Sequence, residues 1–218
     1  MIQLEPIRLL PARERVASVL RKSIISQDIA AGAQITLESI AEQVGVSITP
    51  VREAFQMLES EGLLKLYPNK GAVVKGITPR SVKDHFQIRA ALESEAVAIV
   101  TDSQPDLTEI REIIEKSDKV IELGDFNEYG NLNQAFHIAL WTASKNHRLK
   151  DTLSVMWNGL SMRYMESVEE YAVKSLSEHK KILSLIEKGD IESARKAMHE
   201  HIERSMQDML TNLEVKKN

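Results

Sequence analysis

An apolar stripe at helical spacing marks two short helices in the first third of the chain. Its members are Leu37, Ile40 and Ala41 in the first helix, and Val51, Ala54, Phe55 and Leu58 in the second. Gly45 falls between the helices, where a turn requires a positive φ at low steric cost. Ser47 and Thr49 are able to cap the second helix, and Pro50 suits its first position. The pattern predicts a helix-turn-helix, with an ordinary pair of packed helices as the alternative.

Two short apolar runs, 63–67 and 72–75, follow the second helix and flank a turn at 68–71 that contains proline and glycine. Gly62 stands before them, where a glycine commonly ends a helix. Two short strands about such a turn are typical of a β-hairpin. Because a hairpin directly after a recognition helix forms a wing, this segment is predicted to be a winged helix-turn-helix.

Four polar residues are left facing outward near the start of the second helix: Ser47, Thr49, Arg52 and Gln56. The N-terminal residues of a recognition helix contact base edges and phosphates, so short hydroxyls and an arginine suit this place. At the tip of the hairpin, Lys70 adds a cation, and Gly71 would permit a close approach to a phosphate backbone. The N-terminal segment is therefore expected to bind double-stranded DNA.

The rest of the chain carries helical periodicity without a strand signal. The predicted helices are 81–101, 107–123, 126–144, 148–171, 176–187 and 191–213. An all-α bundle of six helices is the simplest arrangement of these segments. The chain is thus expected to be mainly α, with a DNA-binding domain at residues 1–77 and a helical domain at 78–218.

Composition and charge narrow the class of protein. The chain has 218 residues, a net charge of −4 and no cysteine, which excludes disulfides and thiolate metal sites. Residues 1–77 hold 9 Lys and Arg against 8 Asp and Glu, hence +1, and the remainder holds 19 against 24, hence −5. A nearly neutral DNA-binding domain depends on a few well-placed contacts and on dimerisation. With no apolar run as long as a membrane span and no signal-peptide pattern, a cytoplasmic protein without a membrane partner is expected.

Three histidines, His137, His179 and His201, lie on separate predicted helices, and Asn133 precedes the first of them by one turn. Imidazoles from three helices of a bundle are able to hold a divalent metal, with Asn133 as a fourth ligand. Histidines in a bundle are also commonly hydrogen-bonded structural residues or exposed, and the spacing leaves these alternatives open. His199 stands two residues before His201 and must face elsewhere, so it serves as a negative control.

Arg89, on the first helix of the bundle, is a candidate for binding an effector. A guanidinium that faces a cavity grips a carboxylate through two parallel hydrogen bonds. The alternative is an ordinary ion pair with Glu93 or Glu95. Arg163 and Tyr164 are further candidates for the lining of the same pocket.

The segment GVSITPVREAFQMLESEGLLKLYPNKGAVV resembles the signature of the GntR family of bacterial transcriptional regulators. The resemblance extends over about residues 16–74 and implies that Ser47, Thr49, Arg52 and Gly71 bind DNA. The family usually has an arginine between the serine and the threonine, where this chain has Ile48. One expected DNA contact is therefore absent.

Nearly all of residues 80–213 resembles the FCD domain, the effector-binding domain of the FadR branch of that family. The matching segments are RAALE, NQAFHIALWTASKN and EHKKILSLIEKGDIESARKAMHEHI, and a bundle of six helices is similar to the VanR-type subgroup. Many members bind zinc, nickel or another divalent ion through one aspartate and three histidines. The resemblance places these ligands at Asn133, His137, His179 and His201. The neutral amide of Asn133 is a weaker ligand than a carboxylate and leaves the site more positive, which suits an anionic effector.

Together these features predict a homodimeric transcriptional regulator that binds a palindromic operator and responds to a small carboxylate. Repression is the default by resemblance, and no enzymatic activity is expected. One alternative is a bundle that only dimerises and binds no effector. Another is a metal-dependent hydrolase, for which Glu178 is the one candidate base beside the histidines.

Overall fold

The computed structural model describes residues 11–25, 28–68, 70–157 and 168–215. The chain divides into two compact units, residues 1–78 and residues 79–218. Within the described ranges, no helix has both the length and the apolar character needed to cross a bilayer.

The first unit is a winged helix-turn-helix, as the apolar pattern predicted. Its elements are α1 Ala12–Ile25, β1 Gln34–Ile35, α2 Leu37–Val44, α3 Ile48–Ser60, β2 Leu64–Tyr67 and β3 Gly71–Val74. The three strands form an antiparallel sheet in the order β1-β3-β2, with Ile35 opposite Ala72 and Tyr67 opposite Gly71. Strand β1 was not predicted, because two residues are too few to show an alternating pattern.

Local chemistry sets the ends of α2 and α3. The side chain of Thr36 accepts a hydrogen bond from the amide of Ser39 at 3.1 Å and so caps α2. Gly45 ends α2 with a φ of 67°, as expected. The prediction that Pro50 is the first residue of α3 was wrong, because α3 begins at Ile48 and Pro50 is its third residue. Ser47 is the N-cap, but its side chain makes no capping hydrogen bond.

The predicted apolar face of α3 forms the centre of the first core. Val51, Ala54, Phe55 and Leu58 are at most 1% exposed. Burying a side chain of the size of Phe55 or Leu58 contributes about 1.5–3 kcal/mol. This packing fixes which side of α3 faces solvent.

The second unit contains only helices among its described residues: α4 Pro79–Ser103, α5 Thr108–Glu122, α6 Phe126–Ala143, α7 His147–Met156, α8 Val168–Glu187 and α9 Ile191–Val215. The predicted helix 148–171 was wrong, because α7 ends at Met156 and Trp157 is extended. The predicted start at 176 was also too late, since α8 begins at Val168. Glu169 and Glu170 lie in its first turn, where a helix dipole favours negative charge. The structure describes six helices in this unit, and residues 158–167 lie outside the described residues.

Candidate metal centre and DNA-binding surface

The structure brings three histidines from three helices together. His137 lies on α6, His179 on α8 and His201 on α9, and each is at most 2% exposed. One ligand nitrogen from each imidazole lies within 4.8 Å of the other two. We call these three residues the histidine cluster. The control residue, His199, is exposed and lies 3.5 Å from Glu203.

Two carboxylates orient the imidazoles of the cluster. The Nδ1 atom of His137 donates a hydrogen bond to Oε2 of Glu93, and Nδ1 of His201 donates to Oε2 of Glu178 at 2.6 Å. Because a carboxylate only accepts, each ring keeps its proton on Nδ1 and leaves Nε2 with a free lone pair. A carboxylate behind a histidine is the usual partner of a metal-binding imidazole.

The spacing of the donor atoms fits a divalent ion. The Nε2 atoms of His179 and His201 are 3.3 Å apart. Tetrahedral zinc with nitrogens at about 2.0–2.1 Å sets neighbouring nitrogens about 3.3–3.4 Å apart. The ring of His179 stacks on Phe136 with centroids 3.8 Å apart, which fixes its plane. The donor type, the spacing of this one pair and the orienting carboxylates agree with a metal site, and the same two nitrogens also lie within hydrogen-bond distance of each other.

Burial keeps the three imidazoles neutral. Removal from water lowers the pKa of His179 well below its usual value, and the neighbouring His201 and His137 lower it further. The pKa of His201 falls to about 4, mainly through burial, although its bond to Glu178 opposes the shift. The pKa of His137 is lowered for the same main reason, against the effect of Glu93. Neutral imidazole is the form that binds a metal.

Asn133, the predicted fourth ligand, is buried on α6 one turn before His137. Its side-chain oxygen accepts a hydrogen bond from the hydroxyl of Ser175 at 3.3 Å. An amide oxygen has two lone pairs, so this bond leaves one for a second partner. Ser175, which is fully buried on α8, was not predicted as part of the site.

Arg89 forms an ion pair with Glu93, which was the alternative to its predicted role in effector binding. Its Nε donates to Oε1 of Glu93 at 2.6 Å, and its guanidinium lies 4.4 Å from the ring centroid of Trp157. This bond does not use the two terminal amino groups of the guanidinium. Burial opposes the charged form of Glu93, but Arg89 and His137 outweigh it and lower its pKa to about 2. Arg163 and Tyr164 lie outside the described residues.

Glu93 and Glu178 connect the histidine cluster to two arginines. Glu93 joins Arg89 to His137, and Oε2 of Glu178 accepts from both His201 at 2.6 Å and Arg204 at 2.7 Å. Burial favours the neutral form of Glu178, but its bonds to His201 and Arg204 lower its pKa. A carboxylate held in this way orients a histidine and is a poor base, which argues against the hydrolase alternative.

The start of α3 presents a separate surface to solvent. Its exposed residues, which we call the recognition face, are Ser47, Ile48, Thr49, Arg52 and Gln56. The polar side chains of this face make no hydrogen bond or ion pair with any residue that the structure describes. They are therefore available to a partner.

At the hairpin tip, Gly71 has a structural role within the sheet, and its predicted contact with DNA stays a prediction. Lys70 is exposed, and its amide donates to the carbonyl of Tyr67 at 3.1 Å. Gly71 has a φ of +81°, and a Cβ atom there would lie 2.2 Å from the carbonyl oxygen of Ile35. The close approach that Gly71 permits is thus to the backbone of β1. Asn69 lies outside the described residues.

Known protein families match the two units of the chain separately. Residues 12–74 match the family described as bacterial regulatory proteins of the gntR family, and residues 84–204 match the FCD domain. The Bacillus subtilis protein YdhC, named an uncharacterized HTH-type transcriptional regulator, is 30% identical over 84% of each chain. The gluconate operon transcriptional repressor of Bacillus subtilis is 26% identical over 91% of this chain and 85% of its own. The solved structure of Escherichia coli McbR superposes with a TM-score of 0.74 at 25% identity, over 94% of this chain and 100% of that one.

Proposed function

This chain belongs to the GntR family of bacterial regulatory proteins and carries an FCD domain, and on that basis we propose that a metal-bound metabolite controls its binding to DNA. It is a transcriptional regulator and not an enzyme. We propose that it acts as a homodimeric repressor on a palindromic operator, with one α3 helix in each half-site. Relatives named as repressors, including that of the gluconate operon, support the direction of control.

The recognition face and the hairpin tip would supply the DNA contacts. Arg52 is exposed and suits a bidentate contact with a guanine or a contact with a phosphate. Ser47 and Thr49 offer hydroxyls to phosphates at the start of α3, and Lys70 offers a cation from the hairpin. The role of Gly71 would be to position Lys70 through the sheet.

The observation that carries the metal proposal is the convergence of three buried imidazole nitrogens within 4.8 Å. Glu93 and Glu178 orient His137 and His201 from behind. Asn133 would complete the set of protein ligands with its amide oxygen. Zinc or nickel suits this set of ligands, and a bound ion would supply a Lewis acid to which an effector carboxylate attaches.

The charge of the site favours an anionic effector. All four proposed protein ligands, three imidazoles and one amide, are neutral. None of them therefore compensates the positive charge of a divalent ion. The charge of Arg89 is compensated by Glu93, but their bond leaves the two terminal amino groups of the guanidinium for a carboxylate. A carboxylate that favours one arrangement of the dimer by about 1–3 kcal/mol is sufficient for regulation. The gluconate operon repressor suggests sugar acids as the first group to screen.

The test is elemental analysis of untagged protein purified without a chelator, followed by operator-binding titrations with and without the metal. We expect about one divalent ion per chain in the native protein and in His199→Ala, and none in His179→Ala. We then expect gluconate or a related hydroxy acid to weaken operator binding only when metal is present. A protein that takes up no ion even after incubation with zinc and nickel would contradict the metal proposal. Operator binding that ignores both metal and acids would favour the purely structural bundle.

A further inference from the structure

One apolar side chain interrupts the recognition face. Ile48, the first residue of α3, is 38% exposed, whereas the other apolar residues near it on this helix are buried. Its exposed neighbours are all polar: Ser47, Thr49, Arg52 and Gln56. An isolated apolar group among polar ones is too small a patch for a stable protein contact. It suits a partner that is polar overall but offers a single apolar group.

The major groove of DNA offers such a group. The C5-methyl of thymine is the apolar feature of its base edges, and apolar side chains distinguish thymine through it. The N-terminal residues of a recognition helix are the ones that reach base edges. Ile48 occupies the first position of α3 and lies one turn before Arg52.

We propose that Ile48 recognises a thymine by packing against its methyl group, so that each operator half-site carries an A·T pair at this point. The inference rests on the proposed role of α3 as the recognition helix. Four residues rise about 6 Å along a helix, so Ile48 and Arg52 contact different base pairs. Ile48 thereby specifies one base pair of the half-site that the hydrogen-bonding residues of α3 do not contact.

The test begins with selection of an operator from random duplexes by the full-length protein. Each thymine that the selection retains is then replaced by deoxyuridine, which removes only the methyl group. We expect one thymine per half-site at which this replacement lowers affinity. Loss of one buried methyl group should lower the operator affinity about fourfold when one half-site is changed, and about fifteenfold when both are changed.

Two variants separate this contact from a general effect of the base. Ile48→Ala should bind the thymine and deoxyuridine operators equally well, because it lacks the group that packs on the methyl. Ile88, which is 55% exposed on α4, provides the matched control. Ile88→Ala should retain the full dependence on the methyl group.

A wild-type protein indifferent to every deoxyuridine replacement would overturn the inference, as would Ile48→Ala with an unchanged dependence on the methyl. Arg52→Ala distinguishes this failure from failure of the proposed function. If Arg52→Ala weakens selective binding while the methyl has no effect, α3 reads DNA and only the role of Ile48 is wrong. If the wild type selects no sequence, or Arg52→Ala binds the operator unchanged, the placement of the recognition helix is itself wrong.

Discussion

The recognition face and the histidine cluster satisfy their polar groups in opposite ways. On the recognition face, Arg52 and Gln56 are exposed and have no partner among the described residues. In the cluster, His137 and His201 are buried and each Nδ1 is bound by a carboxylate. The first surface must obtain its hydrogen bonds from water or from a partner, which we propose is DNA, whereas the second holds its donor atoms in place before any ion arrives. Substitutions should therefore affect binding alone at the first site, and both binding and stability at the second.

The largest expected effect comes from removing a member of the cluster. His179→Ala should lower metal affinity more than about a hundredfold, because even an orienting partner of a ligand is worth about 10–100-fold. A competition titration with a chromophoric chelator measures this affinity. His199→Ala, at an exposed position, should match the wild type. Equal loss in both variants would mean that the effect does not arise from the cluster.

The second effect concerns stability and should occur only in the buried region. Glu93→Gln leaves Arg89 and His137 buried without their carboxylate and should lower the free energy of unfolding by about 3–5 kcal/mol. Asp118→Asn breaks an exposed ion pair with Lys180 and should cost less than about 1 kcal/mol. Urea denaturation of metal-free protein compares the two. If both variants unfold at similar urea concentrations, the buried and exposed ion pairs do not differ in their contribution to stability.

The third effect should occur without any change in stability. Arg52→Ala should weaken operator binding by about 1–3 kcal/mol for each half-site, because one base or phosphate contact is lost in each. Thermal melting should be unchanged, since Arg52 is exposed and unpaired among the described residues. Arg80→Ala, on the second unit, is the control at a highly exposed arginine. Fluorescence anisotropy with the selected operator measures the difference, and an unaltered affinity would show that α3 does not read DNA.

The smallest expected effect is on the pH dependence of stability, and it comes from His85 in the helical unit. The Nε2 atom of His85 is buried and has no hydrogen-bond partner in the described part of the chain. Burial, with Arg89 nearby, lowers the pKa of His85 from 6.5 to about 4. Between these values the unfolded chain binds a proton that the folded chain does not, so this contribution to stability is present above pH 6.5 and is lost as the pH falls toward 4.

Replacing His85 by glutamine removes that dependence. As the pH falls from 7 to 5, the wild type should lose on the order of 1 kcal/mol relative to His85→Gln. Thermal melting at several pH values measures the difference, and His199→Gln should show no such divergence. Parallel curves for the wild type and His85→Gln would mean that His85 titrates normally in the folded protein.

How far the sequence predicts this molecule depends on the range of the interactions involved. The buried face of α3 was predicted, because it follows from spacing within one helix. The pairing of Arg89 with Glu93 was foreseen as an alternative, but the bonds of Glu93 and Glu178 to the histidines were not, because these partners are 44 and 23 residues apart. Resemblance to a known domain, more than spacing, singled out the cluster histidines. The end of α7 at Met156 was missed because apolar residues continue at helical spacing in the sequence beyond it.

Gly71 allows the hairpin to pack closely against the strand that precedes α2. Strand β1 ends at Ile35, next to the residue that caps α2, and pairs with β3. The absent side chain of Gly71 lets these backbones touch at the base of the hairpin tip. Strand β3 is therefore paired with the strand that leads directly into α2. In the proposed function, this pairing would hold Lys70 at a fixed distance from α3 when both contact a duplex.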